Sequence, residues 1–215
     1  MTGDSIQEHP GRIAVADGEM TPLRDSTLVN QLKEHDERAF AEFVSLYQHK
    51  IFNLVYRWLG NRQEAEDMAQ EVFITVFKNI ESFRGDCQLS TWLYRIATNH
   101  CRNRIKYLSR RRTEEHREYQ DELARVQPQS AVAGLPTTGS IDRPDDLAVG
   151  RQTEQIIQKA ILDLDDDHRE ILVLRDIQNL AYQEICDITG LPEGTVKSRL
   201  HRARLALKDK LGGFV

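Results

Sequence analysis

Lys197, Ser198, His201 and Arg202 are the residues whose types and spacing point most directly to chemistry. At 100° per residue they share one face of a helix, with Gly194 beside them. Lys and Arg suit phosphates, while Arg, His and Ser can also hydrogen-bond base edges. Arg199 and Arg204 lie at the edges of that face, where the phosphates of a duplex would pass. The back of the helix carries Val196, Leu200, Ala203, Leu207 and Leu211, an inward stripe at helical spacing. The segment from Tyr182 to Thr189 reads as a second short amphipathic helix. Gly190 permits a tight turn between the two, and Pro192 suits the start of the next helix. Two helices around such a turn can place the second in a DNA major groove. The plainer alternative is a helical hairpin with a charged, solvated face.

A second constellation lies upstream. Trp92, Arg95, Asn99, Arg102 and Lys106 fall within one narrow helical face. From Tyr94 to Thr113 the charged residues are Arg95, Arg102, Arg104, Lys106, Arg110, Arg111 and Arg112, with no acid among them. A tryptophan beside Arg, Asn and Lys suits nucleic acid, with the ring stacking on a base while cations meet phosphates. The preceding FRGDCQLS is a glycine-containing loop that could hold an unstacked base. Trp92 as a plain core residue stays open beside that reading.

The helix expected over residues 63–80 has a different character. Asp67, Gln70, Glu71, Ile74 and Lys78 share one face, and Met68, Ala69, Val72, Phe73 and Val76 the other. Its acids would repel phosphate, so the exposed stripe suits a protein partner. A normal charged face with one exposed Ile is the alternative.

Enzyme signatures are missing from the sequence: no phosphate-binding glycine loop with a lysine, no HExxH and no nucleophile elbow. Cys87, His100 and Cys101 lack metal-ligand spacing, so no metal and no cofactor is expected. The three cysteines form no framework, which fits free thiols in a reducing cytoplasm. No apolar run approaches a membrane span, and the N-terminus resembles no secretory signal. A binding protein without covalent chemistry is expected.

The elements that must position these residues are helical. The expected fold is all-α: two small helical domains joined by a flexible linker, the C-terminal one containing the helix-turn-helix. Residues 1–24 read as a mobile tail. Residues 25–112 form the first domain, residues 113–144 the linker and residues 145–215 the second domain. Phe40, Phe43, Val44, Tyr47, Ile51, Leu54, Val55 and Trp58 recur at helical spacing, and Gly60-Asn61 marks a stop. The run PQSAVAGLPTTGSIDRP could bury no core. Asp167-x-x-Glu170 reads as a capping box before Ile171-Leu172-Val173-Leu174. The net charge is −5 and the pI about 5.8, so the basic patches are offset by acidic clusters such as Asp163, Asp165, Asp166 and Asp167. Such an acidic total lowers non-specific attachment to phosphate.

Together the pieces resemble the extracytoplasmic-function (ECF) sigma factors, promoter-recognition subunits of bacterial RNA polymerase. The resemblance runs from about Asp36 to Leu207. EAEDMAQEVFITVFKNI resembles the helix that docks on the largest polymerase subunit. FRGDCQLSTWLYRIATNHCRNRIK resembles the loop and helix that melt and read the −10 element. HREILVLRDIQNLAYQEICDITGLPEGTVKSRLHRARLAL resembles the domain that reads the −35 element. The resemblance implies docking on core polymerase, through its two largest subunits, by Asp67, Gln70, Glu71 and Ile74. It implies −10 contacts and strand capture by Phe83, Arg84, Gly85, Asp86, Trp92, Tyr94, Arg95, Asn99, Arg102 and Lys106. It implies −35 contacts by Thr195, Lys197, Ser198, Arg199, His201, Arg202 and Arg204. An anti-sigma factor as inhibitor, a cytoplasmic location and no membrane insertion by this chain follow in the same way. Leu164-Asp165 stands where the family often has Leu-Pro, so the next helix is expected to start on an aspartate cap. His201 departs from a position that is frequently aromatic or basic. The competing readings are a helix-turn-helix repressor or activator, a helical protein–protein adaptor and, more distantly, a DNA enzyme.

Overall fold

The computed structural model describes residues 22–123 and 146–212. The chain runs α1 (Pro22–Lys33), α2 (Glu37–Leu59), α3 (Arg62–Asn79), a 3-10 turn (Ile80–Ser82) and α4 (Leu89–Leu123). It resumes with α5 (Asp146–Leu162), α6 (Asp166–Leu172) passing into a π-helical turn (Val173–Ile177), α7 (Tyr182–Thr189) and α8 (Glu193–Leu211). No strand occurs among the described residues. The all-α expectation stands. α1 begins inside the segment read as the tail. α4 continues through Leu123, so residues 113–123 of the expected linker are helical. Arg- and Glu-rich sequence without Pro or Gly favours that continuation. Residues 1–21, most of the expected tail, 124–144, the rest of the expected linker, and 145 and 213–215 of the expected second domain lie outside the described residues.

Local sequence sets the helix ends. Asp36 caps α2 by accepting from the Ala39 N–H at 2.8 Å. Gly60 ends it in the left-handed region at φ 74°, donating its N–H to the Tyr56 carbonyl. Asn61 caps α3 through the Glu64 N–H at 3.0 Å. Phe43, Ile51, Leu54 and Val55 of α2 then pack with Val72 and Val76 of α3 and Leu93 and Ala97 of α4, all buried. In the C-terminal half, Ile171, Leu174, Ile185, Val196, Leu200 and Ala203 bury the expected helix-turn-helix core. The turn residue Gly190 has φ 73°.

These two halves share one contiguous core. α6 shows why. Arg169, Glu170, Ile171, Leu172, Val173 and Leu174 are consecutive and all buried. A helix buried on every side has a second neighbour. One side packs on α8 and the other faces the N-terminal half. Arg169 clasps the junction. Its guanidinium donates to the carbonyls of Ile161 (3.2 Å), Leu162 (2.6 Å), Leu164 (2.8 Å) and, from α2, Trp58 (3.4 Å). The Leu162 and Trp58 carbonyls lie at helix ends, and the Ile161 carbonyl also accepts from the Leu164 N–H at 3.2 Å. Nearby, Arg57 donates to the Gln158 side chain at 2.8 Å, and Gln158 donates to the Tyr56 carbonyl at 3.0 Å.

Two expected caps are corrected. Asp165 occupies the position before α6 but makes no side-chain cap bond, and its carboxylate lies 3.6 Å from His168 Nδ1. Asp167 and Glu170 form no capping box, because the helix has already begun at Asp166 and Glu170 turns to Arg102 of α4. A Glu reaching back to an N-cap N–H occurs instead at α7, where Glu184 accepts from Ala181 at 2.7 Å.

Arg169→Ala removes the clasp and leaves several buried carbonyls unpaired. Such losses cost about 3 kcal/mol, to be read as a lower urea midpoint of the whole chain. An unchanged midpoint would refute the clasp.

Candidate nucleic-acid interface

α8 presents the face that its periodicity predicts. Lys197, His201 and Arg202 are exposed, while Val196, Leu200 and Ala203 are buried beneath. Ser198 is half-buried and donates to the Thr195 carbonyl at 3.0 Å, one turn earlier. Lys197 is held from two sides, 2.6 Å from Glu193 Oε1 and 5.4 Å from the Tyr182 ring centroid. The Glu193 hydrogen bond and charge push the Lys197 ammonium pKa up, so it stays protonated. Arg204 makes a bidentate pair with Asp176, at 2.6 and 3.0 Å. Arg199 departs from the expected placement. It turns inward and pairs with Asp167 at 3.0 Å, beside the seam between the halves.

The upstream constellation is split. Arg84, Gly85 and Asp86 are exposed in the loop before α4, and Gly85 adopts φ 80°. A side chain there would be strained, so the loop's shape depends on glycine. Asn99 and Lys106 are exposed on α4. Phe83, expected in the strand-capturing loop, is instead a buried residue at 5.3 Å from the Trp92 ring. Trp92 itself is half-buried, its ring tilted at 48° to that of Phe83. This position lies between the stacking and core readings.

Tyr94, Arg95 and Arg102 are occupied by the C-terminal half. The Tyr94 hydroxyl donates to Gln178 Oε1 at 3.1 Å, and burial pushes its pKa up. Arg95 donates to the Asp187 carbonyl at 2.7 Å. Arg102 donates twice to the Glu170 carboxylate, at 2.6 and 3.3 Å. Glu170 is buried, which pushes its pKa up, and the Arg102 hydrogen bond pulls it back. Sequence reasoning did not anticipate Glu170, Gln178 and Asp187 as partners. The signal for Glu170 was the unbroken apolar run behind it, which exceeds what a one-sided amphipathic helix needs.

On α3, Asp67, Gln70, Glu71 and Ile74 are exposed and Met68, Ala69, Val72 and Phe73 are buried, as the periodicity requires. Ile74 is 51% and Phe77 41% exposed, a combination of apolar and acidic surface suited to a protein partner. Among the described residues, no cluster of His, Cys, Asp and Glu could hold a metal ion. No helix there is long and apolar enough to cross a membrane.

Comparison with known proteins matches residues 43–111 to sigma-70 region 2 and residues 154–207 to sigma-70 region 4. The chain is 41% identical to the ECF RNA polymerase sigma factor SigW of Bacillus subtilis (strain 168) over 184 residues, covering 85% of this chain and 94% of that protein. The chain belongs to the ECF sigma factors. It is also 34% identical to the ECF RNA polymerase sigma-E factor of Escherichia coli (strain K12), over 88% of this chain and 95% of that one. Among solved structures, the sigma factor RpoE from Bartonella quintana, in complex with the anti-sigma factor NepR, matches with a TM-score of 0.55 and 27% identity. That match covers 80% of this chain and 96% of the other. CnrH, solved with the cytosolic domain of CnrY, shares the fold at a TM-score of 0.61 and 20% identity, over 88% and 97% of the two chains. Region 2 of this sigma factor thus spans α2 to α4, and region 4 spans α5 to α8. Family membership makes it a transcription initiation factor, in place of the repressor or activator and the adaptor readings.

If Lys197 and Arg202 both meet phosphates, Lys197→Ala with Arg202→Ala lowers the salt dependence of promoter binding by this sigma factor's holoenzyme. The log–log slope should fall by about 2, measured by fluorescence anisotropy across a salt series. An unchanged slope would remove both residues from the DNA contact.

Proposed function

We propose that this sigma factor divides promoter recognition among three helical faces. α3 docks on core polymerase through Asp67, Gln70, Glu71 and Ile74, engaging the two largest subunits. The loop from Phe83 to Ser90 and the stripe of α4 take the −10 element. Arg84, Gly85, Asp86, Asn99 and Lys106 are accessible to the strand, and Trp92 offers one ring face for stacking. Phe83 serves this site as the support behind Trp92. α8 takes the −35 element, with Thr195, Lys197, Ser198, His201 and Arg202 toward the groove and Arg204 toward phosphate. The observation that carries the division is the sorting of charge: acid and isoleucine on α3, cations without acid on α4 from Tyr94 to Thr113, cations over an apolar back on α8. Protein contact needs the first pattern and phosphate the other two.

The mechanism is differential binding with no covalent chemistry. Polymerase docking holds the α4 face against DNA. Capture of an unstacked base offsets an unstacking cost of a few kcal/mol per step. The site is cytoplasmic, where polymerase and promoter meet. Control by an anti-sigma factor belongs to the same proposal, supported by the B. quintana relative, which was solved with one.

Run-off transcription with purified core polymerase on fragments of the source genome tests the assignments. Promoter-specific transcripts should appear with the wild-type chain. Asp67→Arg and Trp92→Ala should each reduce them at least tenfold. Undiminished transcripts from Asp67→Arg would overturn the docking face. Undiminished transcripts from Trp92→Ala would return that residue to the core alone.

A further inference from the structure

α1 precedes residues 43–111, the span matched to sigma-70 region 2, yet it is packed into that half of the molecule. Leu28 and Leu32 are buried in the shared core, and so is Ile80 of the 3-10 turn that leads into the Phe83–Ser90 loop. The corner between α1 and α2 turns on His35, which adopts φ 56°. The His35 N–H donates to the Leu32 carbonyl at 3.1 Å, and the Asp36 N–H to the Gln31 carbonyl at 3.0 Å. That pair of bonds is the Schellman ending of a helix, whose left-handed residue is most often glycine. A histidine there carries a steric cost that glycine would not.

The imidazole reaches across to the end of α3. Its ring centroid lies 5.0 Å from that of Phe77, and Phe77 packs edge-on against Phe40 at 5.1 Å. His35 Nε2 lies 3.5 Å from Glu81 Oε1, in the 3-10 turn. Ser82 donates to the Asn79 carbonyl at 2.6 Å and the Phe83 N–H to the Ile80 carbonyl at 3.0 Å, so the turn is tied from end to end. Phe83 then packs on Trp92, with 5.3 Å between ring centroids. Contacts therefore run without a gap from His35 through Glu81 and the turn to Phe83 and Trp92.

A strained backbone that glycine would relieve points to a use for the side chain. We infer that His35 is a positioning residue for strand capture: it holds the end of α3 and the 3-10 turn, and so sets where the Phe83–Ser90 loop meets the melted strand. An exposed pair such as His35 and Glu81 adds little to stability. Its effect is on the geometry of the turn. This inference rests on the assignment of that loop to the −10 element.

The test uses the full chain with core polymerase and the substitutions His35→Gly, Glu81→Ala and the two combined. His35→Gly relieves the corner and deletes the imidazole. Glu81→Ala breaks the link from the other end and leaves the corner intact. Urea unfolding reads stability, and anisotropy of the fluorescein-labelled chain reads core binding. Permanganate reactivity of unpaired thymines, at a promoter mapped by run-off transcription, reads strand opening. His35→Gly should keep or raise the urea midpoint, bind core as the wild type does and lower opening about threefold or more. Glu81→Ala should lower opening in the same direction, and the combined variant should lose no more than His35→Gly alone. Wild-type opening in His35→Gly, with opening lost in Trp92→Ala, would overturn this inference and leave the loop assignment standing. Undiminished opening in Trp92→Ala would instead overturn the assignment on which it rests. A midpoint that falls together with opening would make His35 a stability residue only. Losses that multiply in the combined variant would break the link through Glu81 and overturn the brace.

Discussion

The Glu170 carboxylate is only 4% exposed; burial pushes its pKa up, and the hydrogen bond and charge of Arg102, with a smaller contribution from Arg199, pull it back. A charge taken out of water costs several kcal/mol unless a partner and further hydrogen bonds replace the solvent. That constraint fixes the distance and angle between α4 and α6. It also places the apolar run after Glu170 against α2, and the π turn after that run brings Gln178 to Tyr94. Arg169, one residue earlier, holds the ends of α5 and α2 from the other side. The seam is a packed core with one buried ion pair at its edge.

The same economy of charge runs through the basic surfaces of α4 and α8. Arg102 has Glu170, Arg199 has Asp167, Arg204 has Asp176, and Lys197 has Glu193. Apart from the buried Arg102–Glu170 pair, these are solvent-screened pairs that contribute little to stability. Their larger effect is on geometry and on stickiness. They hold long cationic side chains in place, and they offset the field that would attach a basic protein to any nucleic acid. The acidic total of −5 and the clustered cations therefore belong to one arrangement.

Much of this was written in local sequence. Gly60, Gly190, Asp36 and Asn61 end or start helices by rules that need no tertiary context. The stripes of α2, α3 and α8 sorted core from surface through periodicity alone, and Asp67, Gln70, Glu71 and Ile74 emerged exposed. Roles that depend on a neighbour distant in sequence were not legible. Phe83 reads as a loop residue until Trp92 is seen against it. Arg199 sits at the edge of a basic face until Asp167 turns it inward. Asp167 and Glu170 match a capping box, yet α6 starts at Asp166, two residues earlier than that box requires, and Glu170 is needed elsewhere. At Glu170 a long-range partner outweighed a local capping preference worth about 1 kcal/mol.

A double-mutant cycle between Arg102 and Glu170 tests the central claim most directly. Arg102→Gln, Glu170→Gln and the double substitution are each unfolded in urea as full chains, and the coupling is taken from the four stabilities. A seam set by this pair predicts a coupling of about 2 kcal/mol or more, within the range for contacting residues in one network. A coupling near zero would mean that the two side chains act independently, and that the halves are not held together through them.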